Sequence, residues 1–236
     1  DAIALPAAAR AALDGAKGAA TLNEQRALEL FSALGVPVPA IAQVSDAEGV
    51  DALKLNYPVV AKILSADIAH KSEVGGVKVG IADAAALKAA VTALLSDVPK
   101  KVPGARIDGV VVQEMIKGLG EAIVGFRRDP RVGPLVAVGV GGILAEVYGD
   151  VAVRPAPVDL ASARAMIAEV KGFAPLRGFR GLPEGDLEAL AAIVVAISHL
   201  ALSDAPKIAE AEINPVIVRA KGQGAVAVDG LVVLAG

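Results

Sequence analysis

The 236-residue sequence contains no cysteine and no tryptophan, has only 3% aromatic residues, and carries two histidines, His70 and His199. Without cysteine there is no disulfide framework, no thiol nucleophile and no thiolate-bound metal, and two isolated histidines cannot assemble an imidazole-rich zinc site. Any metal would have to be held by oxygen. An excess of one charge sign is also missing: 23 Lys and Arg face 26 Asp and Glu, a formal net charge of −3, with no basic run. Balanced charge and few aromatics leave neither the electrostatic footprint nor the stacking platforms of a nucleic-acid binder. Although 55% of the residues are hydrophobic, the uncharged stretches 132–145 and 189–203 are too short to span a membrane, since a spanning helix needs about 18–20 apolar residues. The opening Asp1-Ala2-Ile3-Ala4-Leu5-Pro6 has no basic segment and no adequate apolar one, so it is not read as a secretory leader, and a start at Asp is expected of a piece cut from a longer protein. The composition is that of a folded cytoplasmic domain, long enough to bury a substantial core.

What is present alternates between helix and strand signals. Thr21 and Glu24 have the spacing of a capping box, followed by Ala27, Leu30, Phe31 and Leu34 at helical intervals and then Gly35 and Pro37. This predicts a helix over 22–34. Residues 41–44 read as a strand, Ser45 and Glu48 open a second helix to about 54, and 57–63 is a strand entered through Pro58. The loop 65–76 is polar and ends in Gly75-Gly76, after which Val77, Val79 and Ile81 alternate as a returning strand. A helix over 83–95, an exposed connection over 97–109 and a strand over 110–113 follow. Strands over 121–127 and 135–140 are joined by a turn-rich segment suited to a hairpin. Beyond them come a strand at 151–154, a helix at 159–170, a glycine-rich loop at 172–185 and a long helix at 186–203. The chain closes on two β runs, 208–218 and 225–234, flanking Lys221-Gly222-Gln223-Gly224. The fold class is α/β (α+β), in two lobes.

The last hairpin permits an argument from register. If it closes about Lys221 and Gly222, Val218 pairs with Ala225 and Asn214 stands opposite Asp229, with Cβ atoms about 4.5–5.5 Å apart. Alternation then puts Glu210 and Glu212 on the same face as Asn214. Three carboxylates and an amide oxygen on one face suit a hard divalent cation such as Mg²⁺, or form the solvated acidic face of an edge hairpin. Lys62 lies inside an apolar strand. Since lysine is almost never buried without a partner, it either meets a phosphate or escapes to solvent at a strand end. In the loop after it, Gly75 and Gly76 let backbone amides approach an anion, with Lys71, Ser72 and Lys78 nearby; a mobile surface loop has the same composition. No Gly-Lys dipeptide occurs, which excludes a Walker-type loop, and the glycines do not fit the dinucleotide fingerprint. His70 has the chemistry of a general base or phosphate acceptor, whereas His199, among Ile197, Leu200 and Leu202, reads as packed. Arg127 and Arg128, like Arg154, Arg177 and Arg180, either clamp phosphate or cap turns.

Several stretches together resemble a known family. They are Pro58-Val59-Val60-Ala61-Lys62, His70-Lys71-Ser72-Glu73-Val74-Gly75-Gly76-Val77, Val124-Gly125-Phe126-Arg127-Arg128-Asp129-Pro130, Gly133-Pro134, Gly139-Val140-Gly141-Gly142-Ile143 with Glu146, and Glu212-Ile213-Asn214-Pro215. In order and spacing the set resembles the ATP-grasp domain of ADP-forming (NDP-forming) acyl-CoA synthetases and, more distantly, the succinyl-CoA synthetase β subunit. The resemblance covers nearly the whole chain. It implies an ATP-grasp fold with nucleotide bound between two lobes, here approximately 36–112 and 1–35 plus 113–236, the second with the Mg²⁺ site.

Residue by residue, the resemblance implies that Lys62 meets the nucleotide phosphates, with Lys71, Gly75 and Gly76 beside it. Gln113, Glu114 and Met115 match the hinge that meets adenine through its backbone, and Glu121 an acidic residue near the nucleotide. Asn214 and Asp229, with Glu212, match the Mg²⁺ ligands. Glu146 and Arg128 are expected near the phosphates, and His70 as a second, transient phosphate carrier. The implied reaction is acid + CoA + ATP giving acyl-CoA + ADP + phosphate through phosphohistidine. This chain would supply the ATP/ADP and Mg²⁺ half, and CoA-binding and ligase domains or subunits the rest. Two alternatives remain at this point: a non-catalytic, regulatory ATP-grasp-like module of a larger fusion such as a protein acetyltransferase, and a carboxylate–amine ligase of the same fold.

Overall fold

The computed structural model describes residues 5–14, 20–68, 70–142, 149–203 and 208–235. The chain forms two compact units. The larger comprises Asp1–Leu22, Arg26–Val38 and Lys117–Gly236, and the smaller Asn23–Gln25 and Pro39–Ile116. Among the described residues no helix is long and apolar enough to cross a membrane.

The smaller unit is a four-stranded antiparallel sheet with one long helix on one face. Its strands are β2 (Ile41–Val44), β3 (Val59–Leu64), β4 (Val77–Ile81) and β5 (Gly109–Glu114), in the order β2-β5-β3-β4. Every residue of β3 is buried. Val59, Ala61 and Ile63 face the helix α3 (Ala84–Lys101), whose Leu87, Val91, Leu94 and Val98 form the apolar stripe that completes this core. Lys62 alternates onto the opposite face of the sheet, with Val60, Leu64 and, from β5, Val111 and Gln113. The helix runs six residues beyond the expected end at 95, because Val98 extends the buried stripe by another turn and Pro99 is accommodated inside the helix. Asp83 caps its start by accepting from Ala86 N at 2.8 Å. The helix expected after Ser45 is only a 3₁₀ segment, Glu48–Ala52. Asp46 Oδ1 accepts from Gly49 N at 2.9 Å there, a local turn that competes with helix.

The larger unit is built on a seven-stranded antiparallel sheet in the order β1-β11-β9-β6-β7-β8, with β10 also paired to β9. The strands are β1 (Thr21–Leu22), β6 (Gly120–Asp129), β7 (Gly133–Val140), β8 (Val151–Pro155), β9 (Ile208–Val218), β10 (Ala225–Ala227) and β11 (Gly230–Leu234). Its helices are α1 (Ala7–Asp14), most of α2 (Glu24–Ala33), α4 (Leu160–Glu169) and α5 (Leu187–Ser198). A 3₁₀ turn, His199–Leu202, replaces the expected last turn of α5. His199 is half-buried, and burial pushes its pKa down.

Two expectations fail here for identifiable reasons. The capping box does not form: Thr21 and Leu22 are strand, opposite Val233 and Val232, and the Glu24 carboxylate is engaged elsewhere. Nor is the final hairpin at a sheet edge. β9 is flanked by β11 on one side and β6 on the other, and β11 in turn by β1, so the pair lies inside the sheet.

Candidate functional site

The smaller unit gathers cations. Lys62, midway along β3, is only 6% exposed and Lys71, in the loop before β4, 9%. Both converge on Glu24, the first residue of α2. Glu24 Oε1 lies 2.6 Å from Lys62 Nζ, and Glu24 Oε2 3.0 Å from Lys71 Nζ, with the carboxylate itself fully buried. Lys62 therefore does not escape to solvent; its partner is an acid that sequence reasoning assigned to a cap. Burial makes a charge costly unless it is paired, and the Glu24 carboxylate serves both lysines.

The loop that carries Lys71 is held tightly. Gly76 N donates to Lys71 O at 2.7 Å, Gly75 N donates to Ser72 O at 3.0 Å, and Gly76 O accepts from Ile63 N at 2.8 Å. Gly75 has φ +72°, and a Cβ on Gly76 would lie 2.7 Å from Ile63 Cγ2. Lys101, at the end of α3, donates to Val74 O at 3.1 Å. His70 is exposed in this loop, beside buried Lys71.

The expected hinge, Gln113 to Met115, sits at the end of β5. Gln113 is buried on the same face of the sheet as Lys62. Glu114 N donates to Ala40 O at 3.3 Å and Met115 N to Pro58 O at 3.0 Å, so both amides serve the fold. The Glu114 carboxylate accepts from Asn56 Nδ2 at 2.7 Å.

The larger unit gathers oxygens. The register of the last hairpin follows the count made from sequence: Val218 opposes Ala225, Val216 opposes Ala227, and Ile213 opposes Gly230. Those pairs bracket Asn214 and Asp229 and set them at one level. Asn214 Oδ1 accepts from Gly142 N at 2.9 Å. Gly142, at φ +70°, comes so close to the Glu121 carboxylate that a Cβ would collide with it. Gly141 N donates to Glu121 O at 2.9 Å. Glu121, Gly142, Asn214 and Asp229 are thus one neighbourhood. Glu212 stands two residues along β9 from Asn214, opposite Gly125 and Leu231.

Among the described residues no three His, Asp or Glu side chains come together as a metal-holding group. The three carboxylates counted on this face are therefore not a cage. The donor set that does fit a hard cation is smaller, the Asn214 amide and Asp229 carboxylate. Mg²⁺ commonly takes one or two protein ligands and completes its shell with water and substrate phosphate.

Arg128 stands apart. One of its terminal nitrogens donates to Leu200 O, Ala201 O and Ser203 O at 3.3, 2.9 and 3.0 Å, which caps the chain end after α5. It lies beyond Arg127, which opposes Glu210, and so at the far end of β6 from Glu121. Arg177 does the same for the end of α4 through Ile167 O, Ala168 O and Val170 O. Glu146 lies outside the described residues.

The profile of the ATP-grasp domain family matches residues 14–234. An ADP-forming acetate–CoA ligase I of Archaeoglobus fulgidus is 40% identical over 199 residues, covering 84% of this chain and 29% of that protein. The chain thus spans less than a third of that relative. The β subunit of ADP-forming acetate–CoA ligase I from Pyrococcus furiosus is 38% identical over 217 residues, 90% of this chain and 91% of the subunit. A solved chain of an acetyl-coenzyme A synthetase from Ca. Korarchaeum cryptofilum, in complex with coenzyme A and Ca-AMPCP, superposes with a TM-score of 0.89 at 36% identity, covering 96% of this chain and 100% of that one. A second structure of that enzyme holds Mg-AMPPCP with a phosphohistidine segment pointing towards the nucleotide binding site.

Proposed function

The chain belongs to the ATP-grasp family, as its ADP-forming acyl-CoA synthetase branch, and on that premise we propose that it is the nucleotide-binding, phosphoryl-transferring portion of such a synthetase. The overall reaction is acid + CoA + ATP giving acyl-CoA + ADP + phosphate, with CoA-binding and ligase domains supplied by another part of the protein or by a partner subunit, in the cytoplasm. The observation that carries this reading is the pair of buried ammonium groups, Lys62 and Lys71, with one carboxylate between them and the exposed His70 next in the chain.

The two units correspond to the two lobes of the family fold, and each has its own task. In the smaller, Lys62 and Lys71 bind and orient nucleotide phosphates and offset the charge that builds on them during transfer. There is little covalent chemistry for a protein to perform in phosphoryl transfer, so fixed charge and alignment carry most of the rate. His70, outside the ion cluster, is free to accept a phosphoryl group on a ring nitrogen, breaking the bond to the β-phosphate oxygen and leaving ADP. In the larger unit Asn214 and Asp229 would hold Mg²⁺, which would offset phosphate charge, and Glu121 lies near Asn214 through Gly142. Nucleotide contacts at the hinge fall to the carbonyls of Gln113 to Met115, since the Glu114 and Met115 amides are engaged within the fold.

Isothermal titration of the chain with ATP, with and without Mg²⁺, tests this reading. Binding that requires Mg²⁺ and is lost in Asn214→Ala/Asp229→Ala supports it. Transfer of label from γ-³²P-ATP in the full-length protein, abolished in His70→Asn while ATP still binds, assigns the carrier. Absence of ATP binding by the full-length protein overturns the reading.

A further inference from the structure

His70 belongs to a loop, 65–76, that one neighbouring segment of the smaller unit grips near both ends. That segment is the last residue of α3 and the connection 102–108 leading into β5. At the front of the loop Asp67 Oδ2 accepts from Arg106 N at 2.8 Å, and just before it Asp108 N donates to Leu64 O at 2.8 Å. At the back Lys101 Nζ donates to Val74 O at 3.1 Å. We propose that Asp67 and Lys101 are positioning residues for phosphoryl transfer, bracing the loop so that His70 is held in line with the γ-phosphate. The inference rests on the reading of His70 as phosphoryl acceptor and gives a role to two residues that the motifs leave without one.

Three observations carry it. The first is where the grips lie. Asp67 and Lys101 are both exposed, yet each side chain is committed to a backbone group of the other segment. Exposed charges are well hydrated without such contacts, so the contacts contribute order more than stability. The connection that supplies them is itself tied, through Arg106 Nε donating to Asp108 Oδ1 at 2.9 Å.

The second is anchoring between the grips. Asp67 N donates to buried Ser65 Oγ at 3.1 Å, Ile68 is packed into the core, and Lys71 is buried with its carbonyl accepting from Gly76 N at 2.7 Å. His70 is joined directly to Lys71, and consecutive Cα atoms are about 3.8 Å apart, so the loop anchors govern where the imidazole can reach.

The third is the demand of the chemistry. Transfer forms a bond between the unprotonated ring nitrogen and the γ-phosphorus and breaks the bond from that phosphorus to the bridging oxygen, which leaves with ADP. Attacking and leaving atoms must lie roughly in line, and a misplacement of about 1 Å caused by a distant substitution can cost about 100-fold.

The test uses the full-length protein, with wild type, Asp67→Ala, Asp67→Asn and Lys101→Ala, and His70→Asn as the control that locates the label. Isothermal titration with Mg-ATP reads affinity, and transfer from γ-³²P-ATP at saturating nucleotide reads the rate. Asp67→Ala should slow transfer about tenfold or more and change ATP affinity by less than about threefold, since the Lys71 contact with Glu24 is untouched. Asp67→Asn keeps an oxygen for Arg106 N and should transfer within about threefold of wild type. Lys101→Ala releases the other end, should slow transfer by about three- to tenfold, and carries the test if Asp67→Ala does not fold. Wild-type transfer rates in both alanine variants, an Asp67→Asn as slow as Asp67→Ala, or parallel loss of transfer and ATP affinity overturns the inference and leaves the nucleotide-binding reading intact. A wild-type protein that binds ATP but carries no label on His70 overturns the assignment of His70 and this inference with it.

Discussion

The two units solve opposite electrostatic problems with opposite degrees of burial. In the smaller, the buried ammonium groups of Lys62 and Lys71 pair with Glu24, which is itself fully buried. In the larger, the oxygen-bearing groups lie half-exposed or exposed: Asn214 and Asp229 are half-buried and Glu121 is exposed. Buried ammonium groups need a permanent counter-charge, because without one they would give up their protons or destabilise the fold. Half-exposed polar groups can be satisfied by water and do not require one.

That comparison breaks most sharply on stability. Glu24→Gln removes a fully buried carboxylate that pairs with two buried lysines and should cost about 3–5 kcal/mol, the usual penalty for breaking a buried ion pair from one side. Asp229→Asn, at a half-exposed site, should stay within about 1 kcal/mol. Urea unfolding of the two variants checks the contrast, and equal losses would mean that the oxygen face is as structural as the cation cluster. A second contrast uses glycine. Gly76→Ala drives a methyl against Ile63 Cγ2 at 2.7 Å and Lys71 O at 2.9 Å, one of them backbone. It should cost about 2–3 kcal/mol and weaken ATP binding by displacing Lys71. Gly142→Ala meets only the far end of the Glu121 side chain, which can swing away, so the cost is that of a left-handed residue, about 1–2 kcal/mol. Denaturation curves with and without Mg-ATP separate the two, since only the second variant should lose its defect in the metal-dependent part of binding.

How much of this was legible in the sequence differs between the same two regions. The hairpin register was, because Val218 opposite Ala225 follows from a turn centred on Lys221 and Gly222, and the count then runs undisturbed to Ile213 opposite Gly230. Lys62 announced itself as a charge inside an apolar strand. Its partner did not: Glu24 is 38 residues away and has the spacing of a capping-box acid, so a local signal concealed a long-range contact. A carboxylate at the start of a helix whose Thr cap also fits a strand, as Thr21 does, is the clue that was present. Arg128 had the opposite fate. Its motif suggested phosphate, but three carbonyls following α5 take its guanidinium, and nothing in the spacing between 128 and 203 reveals that. The end of α3 lies beyond the expected 95 because Val98 continues the buried stripe and the helix accommodates Pro99, a residue whose usual local signal is a stop.

The smallest expected effect concerns a carboxylate of the larger unit that is satisfied chiefly by backbone N–H groups. Asp186 caps α5 by accepting from Ala189 N at 3.1 Å and also accepts from Gly222 N and Gly224 N, both at 2.9 Å, so it ties the hairpin tip to the helix. Burial alone would raise its pKa, but the N–H groups of Gly224, Ala189 and Gly222, with the charge of Lys221, outweigh this and hold it below the ordinary aspartate value. A carboxyl group whose folded pKa lies below its unfolded value of about 3.9 stabilises the protein fully above that pH, and the stabilisation disappears as pH falls through the folded value. Asp186→Asn keeps one acceptor for the cap and turns an amide towards the glycine N–H groups. Its deficit against wild type should therefore be about 1 kcal/mol near pH 6 and should shrink between pH 4 and pH 3, read as the difference of two denaturation series. If the Asp186→Asn deficit were instead constant down to pH 3, backbone N–H groups would not be sustaining that charge, and the distinction between an acid held by dipoles and one held by lysines would fall.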